Sequence, residues 1–164
     1  MNSQYSAAVT NPAYAKLLGL DIPDFCLRAI GLNCGIYEMD LTSTGIANIS
    51  RYYLGRQMSG YREKMDVLAN ITAGYPPCFV VSSTGDFLLK HAEPMGEFLT
   101  QKGIENEVHI YGTEEDRPGH VFHCDLRNDF AKQCNDEECT FFKKHISSSA
   151  VVKDKGQEDK NESV

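Results

Sequence analysis

The spacing of apolar positions changes along the chain, and each change of period predicts an element. From Gln4 to Leu20 the pattern is helical, with Tyr5, Ala8 and Val9 early and Tyr14, Leu17 and Leu18 later. Asn11-Pro12 interrupts it, which predicts one short helix ending near Thr10 and a second starting at Pro12. Gly19 can close the second. Leu27 to Glu38 (LRAIGLNCGIYE) is the first strand candidate. Gly31 and Gly35 weaken it and suggest close approach of another backbone or a ligand. Asp40 to Ser59 has poor periodicity, whereas Tyr61, Met65 and Leu68 share one helical face between Tyr61 and Ile71. The segment is longer than a minimal crossover and reads as a helical insertion, or lid, over about residues 40–72. Tyr52, Tyr53 and Tyr61 within it line an apolar pocket or form a packed aromatic cluster.

The stretch Tyr75 to Phe87 (YPPCFVVSSTGDF) organises the rest. Cys78 to Ser82 is apolar and β-branched without strict alternation, as expected of a parallel strand covered on both faces. Pro76 and Pro77 are tolerated at its entry but not inside it. Thr84-Gly85 makes a turn, and Asp86 lies just beyond the strand's carboxyl end, where α/β sheets carry their working groups. Two readings of Asp86 stand open at this point, a functional carboxylate or a cap on the following helix. Phe87 to Lys102 has helical spacing (Leu88, Ala92, Met95, Phe98, Leu99), with Pro94 in its first turn or at a kink and Gly103 ending it. Glu107 to Tyr111 alternates as a short strand, with His109 directed away from Val108 and Ile110 as a structural histidine. A polar loop from Gly112 to Gly119 precedes His120-Val121-Phe122-His123, and Leu126 to Ile146 forms the last helix. Residues 147–164 are too polar to order themselves and read as a disordered tail.

The order is helix, strand, helical insertion, strand, helix, strand, helix. It predicts one domain over residues 1–146, an α/β fold with about three parallel strands and right-handed crossovers. Unusually for such a fold, no strand precedes the opening helices. The first strand would then have an open edge, which invites dimerisation.

Composition narrows the function classes. A chain of 164 residues with 41% hydrophobic and 24% charged positions suits one soluble globular domain. A net charge of −7 and the lack of any basic cluster argue against nucleic acid and anionic membrane as partners. No long apolar run or signal-peptide pattern is present, so a cytoplasmic location is the expectation. Six cysteines without a secretion signal read as reduced thiols, with Cys34 and Cys78 as small core residues. His120, His123, Cys124, Cys134 and Cys139 are zinc-type residues, but their spacing fits no compact site. Cys134 and Cys139 would point about 140° apart on one helix. No metal and no cofactor is expected.

Asp86 follows the second strand and His120 the third. Adjacent parallel strands lie about 4.8 Å apart, so groups at their carboxyl ends can meet. A carboxylate on imidazole Nδ1 fixes the tautomer and leaves Nε2 free to act as a general base.

PPCFVVSSTGDFL, HAEPMGEFLTQKGIENEVHIY and GHVFH resemble the C-terminal half of the hormone-sensitive-lipase-like esterases, bacterial carboxylesterases with an α/β-hydrolase fold. SQYSAAVTNPAYAKLLGLD resembles the end of the helix that follows that family's nucleophile turn. The resemblance implies Asp86, in Asp86-Phe87-Leu88, as the triad acid and His120 as its base, acting on small carboxylic esters. His-Val-Phe stands where the family usually has His-Gly-Phe. Neither the family's G-x-S-x-G nucleophile turn nor its HGGG-type oxyanion loop occurs in this sequence. The expectation is therefore an esterase-like chain holding acid and base without the serine. It would pair with a missing N-terminal half or form a homodimer. The other expectation is an inactive truncated or interaction module that self-associates through its open sheet edge.

Overall fold

A computed structural model describes residues 2–23, 26–37 and 62–147. Residues 40–61 of the expected insertion, including Tyr52, Tyr53 and Tyr61, lie outside these, as do residues 148–164 of the expected tail.

Three parallel strands, β1 (Ile30–Asn33), β2 (Cys78–Ser83) and β3 (Asn106–Tyr111), form one sheet in the order β1-β2-β3. The register sets Ile30 beside Cys78 and Cys78 beside Asn106, so all strands point their carboxyl ends the same way. β2 is central and buried along its whole length, as expected of its apolar Cys78–Val81 run, with Ser82 and Ser83 buried at its end.

Opposite faces of β2 feed two cores. Cys78 and Val80 join Ile30 and Leu32 beneath helices α1 (Asn2–Thr10), α2 (Pro12–Leu18) and α5 (Ala92–Gln101). Phe79 and Val81 face Cys134, Ala131 and Phe141 of the last helix, α6 (Asp129–Ser147). Gly96 lets α5 sit close on β3, because a Cβ there would stand 2.3 Å from Val108 Cγ2.

The break between α1 and α2 falls at Asn11. Its Oδ1 accepts the Ala13 and Tyr14 N–H groups (3.1 and 3.2 Å), and Pro12 opens the new helix. Gly19 ends that helix in the left-handed region, φ 70°. Two short helices, α3 (Arg62–Met65) and α4 (Val67–Asn70), replace the single one expected over Tyr61 to Ile71. Asp66 divides them by accepting the Ala69 N–H on its own Oδ1 (3.0 Å). Tyr14 and Gln4 tie this pair to the opening helices through the Lys64 carbonyl, each at 2.6 Å.

Other bounds also depart from the pattern. β1 is shorter than Leu27–Glu38 at both ends. Ile30 N–H bonds the Pro77 carbonyl (2.9 Å), but Pro77 and Pro76 have no N–H with which to extend the ladder. At the other end Cys34 turns out of the strand at φ 52°. The helix expected from Phe87 begins at Ala92, after a 3₁₀ turn at Leu89–His91, because the Asp86 side chain captures the Leu88 N–H (2.8 Å). The last helix starts at Asp129, where the Asn128 side chain accepts the Phe130 N–H (2.8 Å). Leu126 and Ile146, the ends of the last helix as expected from sequence, are both exposed. All six cysteines are free thiols, and no helix among the described residues is long and apolar enough to cross a membrane.

Candidate active site

The turn after β2 and the loop after β3 lock together, and this brings Asp86 and His120 into contact. Gly85 N–H bonds the Pro118 carbonyl (3.1 Å), and Thr84 N–H bonds that of Tyr111 (2.9 Å). Ser83 Oγ reaches back to the Pro118 carbonyl (2.7 Å) and the Gly119 carbonyl (3.2 Å). Only glycine fits at position 85, since a Cβ would stand 2.6 Å from the carbonyl oxygens of both Arg117 and Pro118.

Held this way, His120 Nδ1 lies 3.0 Å from Asp86 Oδ1. The Asp86 side chain has no exposed surface, whereas the imidazole is about one-third exposed (34%). The same Oδ1 accepts the Leu88 N–H (2.8 Å), and Oδ2 accepts the Ser82 hydroxyl (3.2 Å). Asp86 thus caps the chain that follows and also faces a histidine. Its solvated form is excluded by burial. Burial is the largest influence on its titration and opposes the charge. The Leu88 N–H, the Cys34 thiol and His120 together outweigh it, holding the carboxyl below its ordinary range. Phe87, mostly exposed, lays its ring 4.6 Å from the imidazole and covers one side of it.

His123, the other histidine of the motif, stands apart. Its Nδ1 is buried with no hydrogen-bond partner, and its ring meets Phe122 edge-on at 6.0 Å. Burial first, and the nearby His120 second, lower its pKa. His120 alone of the two meets the acid.

Val121, where the resembling family has glycine, sits at φ 54°. A β-branched residue there is strained, the left-handed region costing roughly 1–2 kcal/mol for an L-residue. The residue is 43% exposed, so removing its side chain loses little packing. Val121→Gly is therefore expected to raise stability by up to about 1 kcal/mol after the entropy of the added glycine. The check is a higher urea midpoint at unchanged slope; a lower midpoint would show that the valine's contacts outweigh its strain.

Two side chains at the site were not singled out by sequence reasoning. Ser82 was read only as the strand's last residue, and Cys34 only as a small core residue. The sulfur of Cys34, a carboxylate oxygen of Asp86 and a ring nitrogen of His120 lie within 4.8 Å of one another. A Cys-Gly pair at a strand's end was the only signal, and it does not reveal a positive φ.

The sequence matches no family model and no curated protein. Solved structures do match. The chain superposes on esterase B from Lactobacillus rhamnosis with TM-score 0.78 at 12% identity, covering 93% of this chain and 51% of that one. A further esterase gives TM-score 0.61 at 19% identity, covering 87% and 46%. A carboxylesterase from Lactobacillus plantarum gives 0.54 at 16%, covering 73% and 41%. The chain spans about half the length of the esterases it matches. At these identities the likeness establishes the fold: a partial α/β-hydrolase sheet of three parallel strands with flanking helices.

Proposed function

We propose that this chain supplies the acid and base of a serine carboxylesterase of the hormone-sensitive-lipase-like type, corresponding to the C-terminal half of such an enzyme. The observation that carries the reading is the 3.0 Å contact of His120 Nδ1 with a fully buried Asp86 carboxylate at the carboxyl end of this sheet. With Nδ1 held by the acid, Nε2 is left as the acceptor. In the assembled site it takes the proton of a serine hydroxyl attacking the ester carbonyl. It then passes that proton to the departing alcohol, and a second cycle with water releases the acid. Asp86 stays ionised throughout and stabilises the imidazolium. The serine and oxyanion donors come from polypeptide outside these 164 residues, which contain no G-x-S-x-G. Small esters are the natural first probes; esterase B is also known in a tributyrin phosphonate-inhibited form.

The test is hydrolysis of p-nitrophenyl butyrate by the chain purified with whatever co-purifies from its native source, with fluorophosphonate labelling. Expected are a labelled serine on a co-purifying or continuous polypeptide and a fall in kcat of at least about 10³-fold in His120→Ala. A second reading is favoured by one observation, that β1 has no strand beyond it among the described residues. It is a non-catalytic module that self-associates there. No turnover, no label and a dimeric mass in light scattering would favour that module and remove the hydrolase.

A further inference from the structure

Two non-glycine residues among the described ones have positive φ, Cys34 (52°) at the end of β1 and Val121 (54°) next to His120. Strained backbone of this kind persists only where surrounding structure over-determines it, and it concentrates at functional sites.

The strain at Cys34 has a definite geometric effect. Strand alternation would put residue 34 on the face of Ile30 and Leu32, in the core beneath α1 and α5. Turning at φ 52° sends the side chain instead into the α6-side core with Phe79 and Val81. There the sulfur comes within 4.8 Å of both a carboxylate oxygen of Asp86 and a ring nitrogen of His120. The main chain fixes this placement, since Cys34 N–H bonds the Val81 carbonyl at 2.7 Å.

A thiol beside a histidine and an acid suggests a nucleophile or a metal ligand. Both roles need the thiolate. Burial first, and the neighbouring Asp86 carboxylate second, push this thiol up to about 12, so near neutrality it keeps its proton. Its use is as a donor.

We propose that Cys34 is a positioning residue of the Asp86–His120 pair. By donating to the carboxylate, it joins the end of β1 to the acid and, through the acid, to the base. The inference rests on the acid–base reading of that pair and adds to it a third anchoring strand. Ser82 fixes Oδ2 from β2, and the loop after β3 presents His120. Cys34 supplies the contact from β1.

The experiment follows the Asp86 side-chain carboxyl carbon of the full chain by NMR across pH, together with the His120 Nδ1–H proton. Without the thiol donor the ionised carboxylate loses one stabilising partner, so the midpoint moves upward in Cys34→Ala. Cys34→Ser, which keeps a donor, returns it toward wild type. Cys34→Val fills the buried space without donating and should behave like alanine, which separates lost packing from a lost hydrogen bond. Wild-type protein offers a check needing no variant: the hydrogen-bonded S–H stretch in the infrared should change as Asp86 protonates. An Asp86 midpoint unmoved in the alanine and valine variants, or S–H bands indifferent to that titration, overturns the proposal. The underlying pair is tested separately by His120→Ala. If that change leaves the Asp86 midpoint where it was, the acid–base reading itself fails. If it moves the midpoint and the Cys34 variants do not, only the role of Cys34 is lost.

Discussion

Asp86→Ala is expected to destabilise the chain by about 2–4 kcal/mol at pH 7. The carboxylate has no exposed surface. It accepts from the Leu88 N–H at 2.8 Å, His120 Nδ1 at 3.0 Å and the Ser82 hydroxyl at 3.2 Å. Alanine leaves these donors facing a small void, and an unsatisfied buried donor costs roughly 1–3 kcal/mol. The costs do not add fully, because His120 is partly exposed and can turn toward water. Asp86→Asn keeps an acceptor for Leu88 and should cost less.

The pH dependence follows from the direction of the shift. The folded carboxyl titrates below its ordinary range despite burial, because the Leu88 N–H, the Cys34 thiol and His120 favour the charged form. Its stabilising contribution is therefore complete above the unfolded value of about 3.9 and is lost as pH falls through the lower folded value. Urea unfolding at pH 7 and below pH 3 should show the gap between wild type and Asp86→Ala narrowing in acid. An equal gap at both pH values would mean that the ionised carboxylate is not what stabilises the fold.

The second large effect is expected at Phe79, at the centre of β2. It is fully buried, its ring stacks on His109 at 4.4 Å, and it meets Phe141 of α6 at 5.5 Å. Phe79→Ala removes this contact between sheet and last helix and should cost about 3–5 kcal/mol. Against a typical domain stability of about 5–15 kcal/mol, that leaves the fold marginal. Phe79→Leu, which retains most of the volume, should lose clearly less. Thermal unfolding followed by circular dichroism is the measurement. A drop for alanine no larger than for leucine would indicate that α6 can collapse onto the sheet without the ring. Because β2 leads into the turn that holds Asp86, the alanine variant should weaken the His120 contact even where it still folds.

Much of the architecture was legible because local chemistry and the global fold agree. β2 announced itself through an unbroken apolar run bracketed by Pro77 and Gly85. The α1–α2 break was readable since Asn11 and Pro12 are a cap and a first-turn residue in any context. What local pattern missed were competitions decided by single side chains. Asp66 divided one expected helix, and Asp86 delayed another by taking the Leu88 N–H. β1 proved short because Pro76 and Pro77 cannot donate and because Cys34 leaves the strand. None of these outcomes follows from hydrophobic spacing.

The site divides in the same way. Sequence order placed an acid after one strand and a histidine after the next, and the resemblance to esterases singled out Asp86 and His120 among alternatives. Whether the two meet depends on loop geometry. That contact required Gly85 to admit the carbonyls of Arg117 and Pro118, and Ser83 to hold the Pro118 and Gly119 carbonyls. The His-Val-Phe departure was visible as a substitution, but its meaning was not. Only the backbone shows valine occupying the left-handed conformation that glycine adopts freely.

By itself, the sequence determined the three parallel strands, their order along the chain, and the absence of a G-x-S-x-G serine from these 164 residues. Periodicity, turn chemistry and motif content are local properties, so they survive without coordinates. The tertiary structure alone decided that Asp86 is buried, that His120 rather than His123 faces it, and that Cys34 sits in the core on the α6 side of the sheet. The physical reason is that all three depend on how segments more than thirty residues apart are brought together, where no sequence period reaches.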